Sequence, residues 1–218
     1  MTSIDPIVRS LPTYYNGTVF RSRLEARWAI IFDEMGIAWE YEAEAISVLR
    51  YFGTGIHLDE YFGYLPDFYL PEVDAFVEVK GQLDREGFLK LLSCAHTITT
   101  PACGTPGSHG GKPFFVAGNL SHGKVFPSLT SIFNYKGDLW MNDLILEFEQ
   151  AFDSVVHVCT DGDEWSDDQK MILKYHSQKL CNNYKHLDKD FESFPEVKKW
   201  RKAFEKGRSA RFQDGRHV

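Results

Sequence analysis

The stretch Tyr64-Leu-Pro-Asp-Phe-Tyr-Leu-Pro-Glu-Val-Asp-Ala-Phe-Val-Glu-Val-Lys80 sets two apolar-rich runs, Leu65 to Leu70 and Ala75 to Lys80, on either side of Pro71-Glu72-Val73-Asp74. β-Branched and aromatic residues around a turn-like break predict a β-hairpin. With Pro71 opposite Asp74, Asp67 falls opposite Glu78, their Cβ atoms roughly 5 Å apart on one face. Side chains alternate along a strand, so Lys80 shares the face of Glu78 while Val77 and Val79 point the other way.

Two carboxylates that close repel each other, and keeping both ionised at neutral pH requires positive charge nearby. Two readings satisfy this. One is a cross-strand salt bridge between Lys80 and the carboxylates on a solvated sheet face. The other is a hard divalent cation, Mg²⁺ with Mn²⁺ as its substitute, which takes one or two carboxylates plus waters and phosphate oxygens. Asp67 and Glu78 are then the metal ligands, joined by the backbone carbonyl of Val79. Lys80 would orient or deprotonate a water, or offset charge growing on a phosphate.

Upstream, Phe20-Arg-Ser-Arg-Leu-Glu-Ala-Arg-Trp-Ala-Ile-Ile-Phe-Asp-Glu-Met-Gly36 carries apolar residues at Leu24, Trp28, Ile31, Phe32 and Met35, and Gly36 supplies a stop. Glu25 is the odd member, in line with Trp28, Ala29 and Phe32 on the stripe expected to be buried. Ser22-x-x-Glu25 also fits a capping box in which Glu25 reaches back to the Ser22 amide. A structural cap and a functional acid are both open roles for it.

The two segments together resemble the PD-(D/E)XK nuclease superfamily. Pro66-Asp67 matches the family's PD, Glu78-Val79-Lys80 its (D/E)XK, and Glu25 falls where many members carry a glutamate on the first core helix. The stretches "FRSRLEARWAIIFDEMGIAWEYE", "YLPDFYLP" and "VEVKG" look like the small phage and mobile-element branch, near the endonuclease subunit of heteromeric transposases. The likeness covers roughly residues 18 to 118. It implies an α/β (α+β) fold with a restriction-endonuclease-like αβββαβ core, a mixed sheet flanked by helices. It also implies Mg²⁺-dependent DNA endonuclease activity through a metal-activated water, with Asp67 and Glu78 as ligands, Lys80 as the catalytic lysine and Glu25 as a further ligand or supporting acid. Where relatives often read Tyr-Glu-Pro-Glu, this chain has Tyr41-Glu42-Ala43-Glu44.

At 218 residues and 43% hydrophobic content the chain is long enough for a full core with an extension. We divide it into a core over residues 1–160, containing the Gly/Pro-rich loop 101–113, and a helical extension over 161–218 that ends in a basic segment. No apolar run has membrane-spanning length and Met1-Thr-Ser-Ile-Asp5 is no signal peptide, so a cytoplasmic location is expected, in a bacterial or phage-infected cell. Cys94, Cys103, Cys159 and Cys181 form no CxxC pair, and reduced thiols are expected.

A net charge of −7 is awkward for a partner of DNA. From Pro195 to Val218, however, eight basic residues stand against three acids. Val197, Trp200, Arg201 and Phe204 recur there at helical spacing, predicting a helix that docks by its aromatic face. Lys198, Lys199, Arg201 and Lys202 are the candidate DNA contacts on it, with Gln82 and Lys112 nearer the hairpin. Gly110-Gly111-Lys112 is followed by Pro113 and a strand, which excludes a Walker phosphate loop and a nucleotide cofactor.

Elsewhere Trp39–Glu42, Ala45–Phe52 and Ile56–Phe62 read as strands extending the hairpin into a larger antiparallel section. Asp84–Thr99 reads as a helix with Phe88, Leu91, Leu92 and Ala95 inward, and Pro113–Gly118 as a buried strand. Leu139–Phe152 has helical periodicity, Val155–Cys159 reads as a strand, and Ser166 opens a helix to about Asn183. A homodimer and a partner protein are both compatible with the long C-terminal half. So is a different class of function, a nuclease-fold DNA- or protein-binding module that does not cut alone and acts within an assembly.

Overall fold

The computed structural model describes residues 11–50, 61–81, 85–100, 111–118, 120, 129–135, 138–143, 155–158, 195–213 and 215–217. Asn16 and Gly17, both at positive φ, join β1 (Thr13–Tyr15) to β2 (Thr18–Phe20). Such a pair matches the right-handed twist of a hairpin. Helix α1 (Arg23–Met35) follows, with Ser22 in an extended conformation as its N-cap and Gly36 at φ 69° ending it. The amides of Gly36 and Ile37 return to the Asp33 and Phe32 carbonyls, at 3.0 and 2.9 Å, satisfying acceptors that the last turn leaves open.

The hairpin of β6 (Phe68–Leu70) and β7 (Ala75–Val79) has the expected register, Phe68 opposite Val77 and Leu70 opposite Ala75. On one side β6 pairs with β3 (Glu40–Tyr41); on the other, β7 runs parallel to β8 (Phe114–Ala117) after a crossover through α2 (Arg85–Thr99). Beyond β8 the sheet continues antiparallel through β9 (Leu129–Tyr135), β10 (Asp138–Asp143) and β11 (Val155–Val158), making seven strands in a mixed sheet.

Both faces of this sheet are covered. Val77, Val79, Phe68 and Ala117 pack with Trp28, Ile31 and Phe32 of α1, whereas Phe76, Phe114 and Ile132 pack with Phe88, Leu91, Leu92, Ala95 and Ile98 of α2. The inward residues foreseen on α2 are therefore those observed, and Val77 and Val79 turn away from Glu78 as alternation requires. The strands over β4 (Ile46–Leu49) and β5 (Tyr61–Tyr64) depart from expectation. They form a separate two-stranded sheet, with Ile46 and Val48 in the α2-side core, and do not extend the hairpin.

A second correction concerns Leu139–Phe152, whose described part, up to Asp143, lies in strand β10. Tyr135 pairs with Asp138 across a two-residue connection, Lys136-Gly137, which is a hairpin signal stronger than the apolar spacing that suggested a helix. Val155–Val158 is a strand, as read. The helix read from Ser166 and most of the loop 101–113 lie outside the described residues.

Helix α3 (Pro195–Ser209) lies antiparallel along α1, burying Ala203 and Phe204 in the α1-side core. Lys199 Nζ donates to the Met35 carbonyl at 2.6 Å, while at the other end Gly207 faces Arg27 and Ile31. The chain then pairs β12 (Phe212–Gln213) with β13 (Arg216–His217), and β13 runs parallel to β1. The basic segment is thus built into the body of the fold. Among the described residues no helix is long and apolar enough to cross a membrane.

Candidate active site

Glu78 is the fourth residue of β7, a strand buried along its whole length, and is itself only 2% exposed. Asp67 precedes β6 and continues the hairpin register to a position beside Glu78, also at 2% exposure. Its Oδ2 accepts the Val79 amide at 2.7 Å, and its Oδ1 accepts Arg21 Nη2 at 2.6 Å. Glu78 forms an ion pair through Oε1 with Lys80, whose own amide is fixed on the Ala117 carbonyl at 2.8 Å. Glu78 Oε2 is buried, and the Tyr64 phenol at the end of β5 is a hydrogen-bonding neighbour of the Glu78 carboxylate.

Glu25 completes the group from α1, buried at 7% exposure. The capping box forms with one change. Ser22 Oγ accepts the Glu25 amide at 3.1 Å and donates to Glu25 Oε1 at 2.6 Å, but Oε2 takes the Arg21 amide at 3.1 Å, not that of Ser22. Tyr41 from β3 donates its hydroxyl to the same Oε2 at 2.6 Å. With both oxygens turned to these donors, Glu25 stands behind Asp67 as a fixed negative charge. Among the described residues no three His, Cys, Asp or Glu side chains are gathered to hold a metal ion.

Electrostatics follow from burial with too little compensating charge. Desolvation, then repulsion from Glu78 and Glu25, pushes the Asp67 carboxyl up to about 7, against the opposing pull of the Val79 amide and Lys80. Burial also raises Glu78, with Lys80, Tyr64 and Arg21 working against it. The Tyr64 phenol and the Cys94 thiol of α2 are both pushed up by burial and by the Glu78 charge. Two acids that hold protons more tightly than usual define a pocket short of positive charge.

The candidate DNA contacts do not converge on this pocket. Lys112 lies at the start of β8, level with the beginning of β7, and is paired with Asp74 at 2.7 Å above the Tyr69 and Phe76 rings. Six residue steps of strand separate its level from Lys80, roughly 20 Å. Lys198, Lys199 and Lys202 are exposed on the part of α3 beside the C-terminal end of α1, the end opposite Glu25. Arg201 is half-buried on the same helix. Gln82 lies outside the described residues.

Three partners of the site were not foreseen: Arg21, Tyr41 and Tyr64. Arg21 touches Asp67 across 46 positions of sequence, a contact that no local spacing rule reports. Tyr41 had a weak signal, an aromatic residue with a hydroxyl in a short strand expected beside the hairpin. Comparisons of the chain with protein-family models, with curated proteins and with solved structures gave no match.

Proposed function

We propose that this chain is a metal-dependent phosphodiester hydrolase acting on DNA, with Asp67 and Glu78 as the ligands of a divalent cation and Lys80 as the working base or charge-neutralising group. The observation that carries the reading is the buried pair itself. Asp67 and Glu78 are nearly sealed from water and their carboxyls are raised. Burying two carboxylates costs several kcal/mol each, and one ion pair apiece, to Arg21 and to Lys80, returns only part of it. A hard cation fits such a donor set.

In extended backbone a residue's N–H and C=O point to the same side. Because the Val79 amide points at Asp67, its carbonyl is directed toward the same carboxylate and suits the role of third ligand. When bound, a divalent cation supplies Lewis acidity toward a phosphate oxygen and lowers the pKa of water. The chain's residues do the rest. Lys80, held by its amide on β8, places its ammonium beside Glu78, where it can orient the attacking water or offset charge on a non-bridging phosphate oxygen. Glu25, pinned by Ser22, Arg21 and Tyr41, keeps the field negative behind Asp67. The chain order α1, β3, β6, β7, α2, β8, with β4 and β5 inserted as a separate hairpin, supports a restriction-endonuclease-like αβββαβ core.

The decisive experiment offers supercoiled, linear, branched and single-stranded DNA to wild type and to Lys80→Ala in Mg²⁺ or Mn²⁺. Wild type cuts at least one substrate and Lys80→Ala none, while circular dichroism shows both folded; equal activity refutes the reading. A second reading, a nuclease-fold module that binds DNA or a protein without cutting, is favoured by the ion pairs that already engage Asp67 and Glu78. Inertness on every substrate together with calorimetry showing no Mn²⁺ uptake selects it.

A further inference from the structure

Arg21 sits just before the N-cap of α1 and spans two acids. Its Nη2 lies 2.6 Å from Asp67 Oδ1 and its Nε 2.7 Å from Glu42 Oε1, with the Arg21 side chain 55% exposed against 3% for Asp67. Glu42 is held in the left-handed region at φ 49°, a conformation that a glutamate rarely adopts. Its amide is tied to the Asp67 carbonyl at 3.0 Å, so the second anchor of Arg21 is fixed to the segment that carries the first.

The two oxygens of Asp67 have different partners. Oδ2 is taken by a backbone amide that cannot leave without opening the strand, whereas Oδ1 is taken by a side chain more than half in solvent. A cation bound to Oδ1 would lie against the like-charged Arg21 guanidinium, and the repulsion between them drives Arg21 away. Glu42, bound through the Arg21 Nε, gives the departing guanidinium a second acid to stay on while its Nη2 leaves Asp67.

We propose that Arg21 is an exchange group. It neutralises Asp67 while no cation is bound, is displaced by the cation, and then holds a phosphate of the substrate through the freed edge of its guanidinium, with Glu42 as its tether. The inference rests on the proposed metal-dependent reading and adds to it a competition between Arg21 and the metal. A planar fork suits this double duty, since it donates to carboxylate and phosphate alike, which a lysine ammonium does only as a point charge.

The test is a Mn²⁺ titration of the full chain by calorimetry, without nucleic acid. Arg21→Ala is expected to bind Mn²⁺ about fivefold to tenfold tighter than wild type, the scale of one partly exposed charge-assisted hydrogen bond removed from competition. Arg23→Ala removes an equal charge two residues away, from an exposed side chain, and leaves the affinity within about twofold, because exposed charges are screened. In cleavage at saturating Mn²⁺, Arg21→Ala raises KM for DNA about tenfold with kcat within about threefold, the pattern of a lost binding contact. Arg21→Lys raises KM similarly without tightening the metal. Arg21→Gln serves in place of Ala should the smaller residue lower the melting temperature.

Unchanged or weaker Mn²⁺ binding by Arg21→Ala, or equal tightening by Arg23→Ala, overturns the exchange and leaves the metal centre standing. An unchanged KM overturns the phosphate role. No Mn²⁺ uptake by wild type or any variant overturns the metal centre and the exchange together.

Discussion

Asp67→Asn turns the electrostatic imbalance of the site into a measurable stability. The folded chain holds the Asp67 proton up to about pH 7, against an ordinary value of 3.8. Between those values the folded state binds more protons than the unfolded state, so stability falls as pH rises from about 4 to about 7 and is level above. At 1.36 kcal/mol per pKa unit the cost of the ionised carboxylate above pH 7 has a ceiling of roughly 4 kcal/mol. Asparagine avoids that cost but gives up the ion pair to Arg21, worth at most about 1 kcal/mol at a half-exposed site, and weakens the bond from the Val79 amide. In metal-free buffer the variant should be within about 0.5 kcal/mol of wild type at pH 5, where a protonated Asp is nearly isosteric with Asn, and about 1–3 kcal/mol more stable at pH 8. For a chain of this size each kcal/mol moves the midpoint of thermal unfolding by about 2–4 °C, so the pH 8 difference is visible by melting as well as by urea titration. Adding Mg²⁺ at pH 8 should raise the wild type toward the variant and leave the variant unmoved. A variant less stable than wild type at pH 8, or a difference independent of pH, refutes the assignment of Asp67 as a carboxylate starved of positive charge.

Gly207→Ala should destabilise by about 1–3 kcal/mol despite the better helix propensity of alanine. The new Cβ would lie 2.5 Å from Ile31 Cγ1 and 2.9 Å from the Arg27 carbonyl, closing the gap through which α3 meets α1; an unchanged melting temperature would show that the helices part freely. On DNA, binding by Lys80→Ala should lose about one to two units of its salt slope in Arg208→Ala/Arg211→Ala but less than about half a unit in Lys198→Ala/Lys202→Ala. That order follows from the end of α3 that lies beside Arg27, toward the N-terminal turn that carries Glu25, and the reverse order would place the DNA along the other end of the helix.

The hairpin register, α1 with its cap, the inward face of α2 and the pairing of Glu78 with Lys80 were legible because each depends on local periodicity or on residues within a few positions. The site's acids were legible for the same reason. Arg21, Tyr41 and Tyr64 were not, since they reach Asp67, Glu25 and Glu78 from other elements and carry no spacing signal. The β1–β2 hairpin was legible in principle, as Asn16-Gly17 between Thr13–Tyr15 and Thr18–Phe20 is a strong turn signal. The misreading of Leu139–Asp143 as helix has a different origin. A short apolar run satisfies both periods, and only its pairing with Leu129–Tyr135 decides between them.

What unites the site is a charge deficit with a definite size. Glu42 and Asp67 are paired with the cation Arg21 and Glu78 with the cation Lys80, while Glu25 accepts the Arg21 backbone amide and two hydroxyls. Four negative charges against two leave a shortfall of two at full ionisation. Burial first, and then repulsion from Glu78 and Glu25, raises the Asp67 carboxyl to about 7, so it holds a proton near neutral pH while Lys80 stays against Glu78. A proton on Asp67 relieves one unit of that shortfall, and the proposed divalent cation would relieve both. In the proposed exchange Arg21 is the member that moves, since its side chain is more than half exposed and a second acid, Glu42, already holds it.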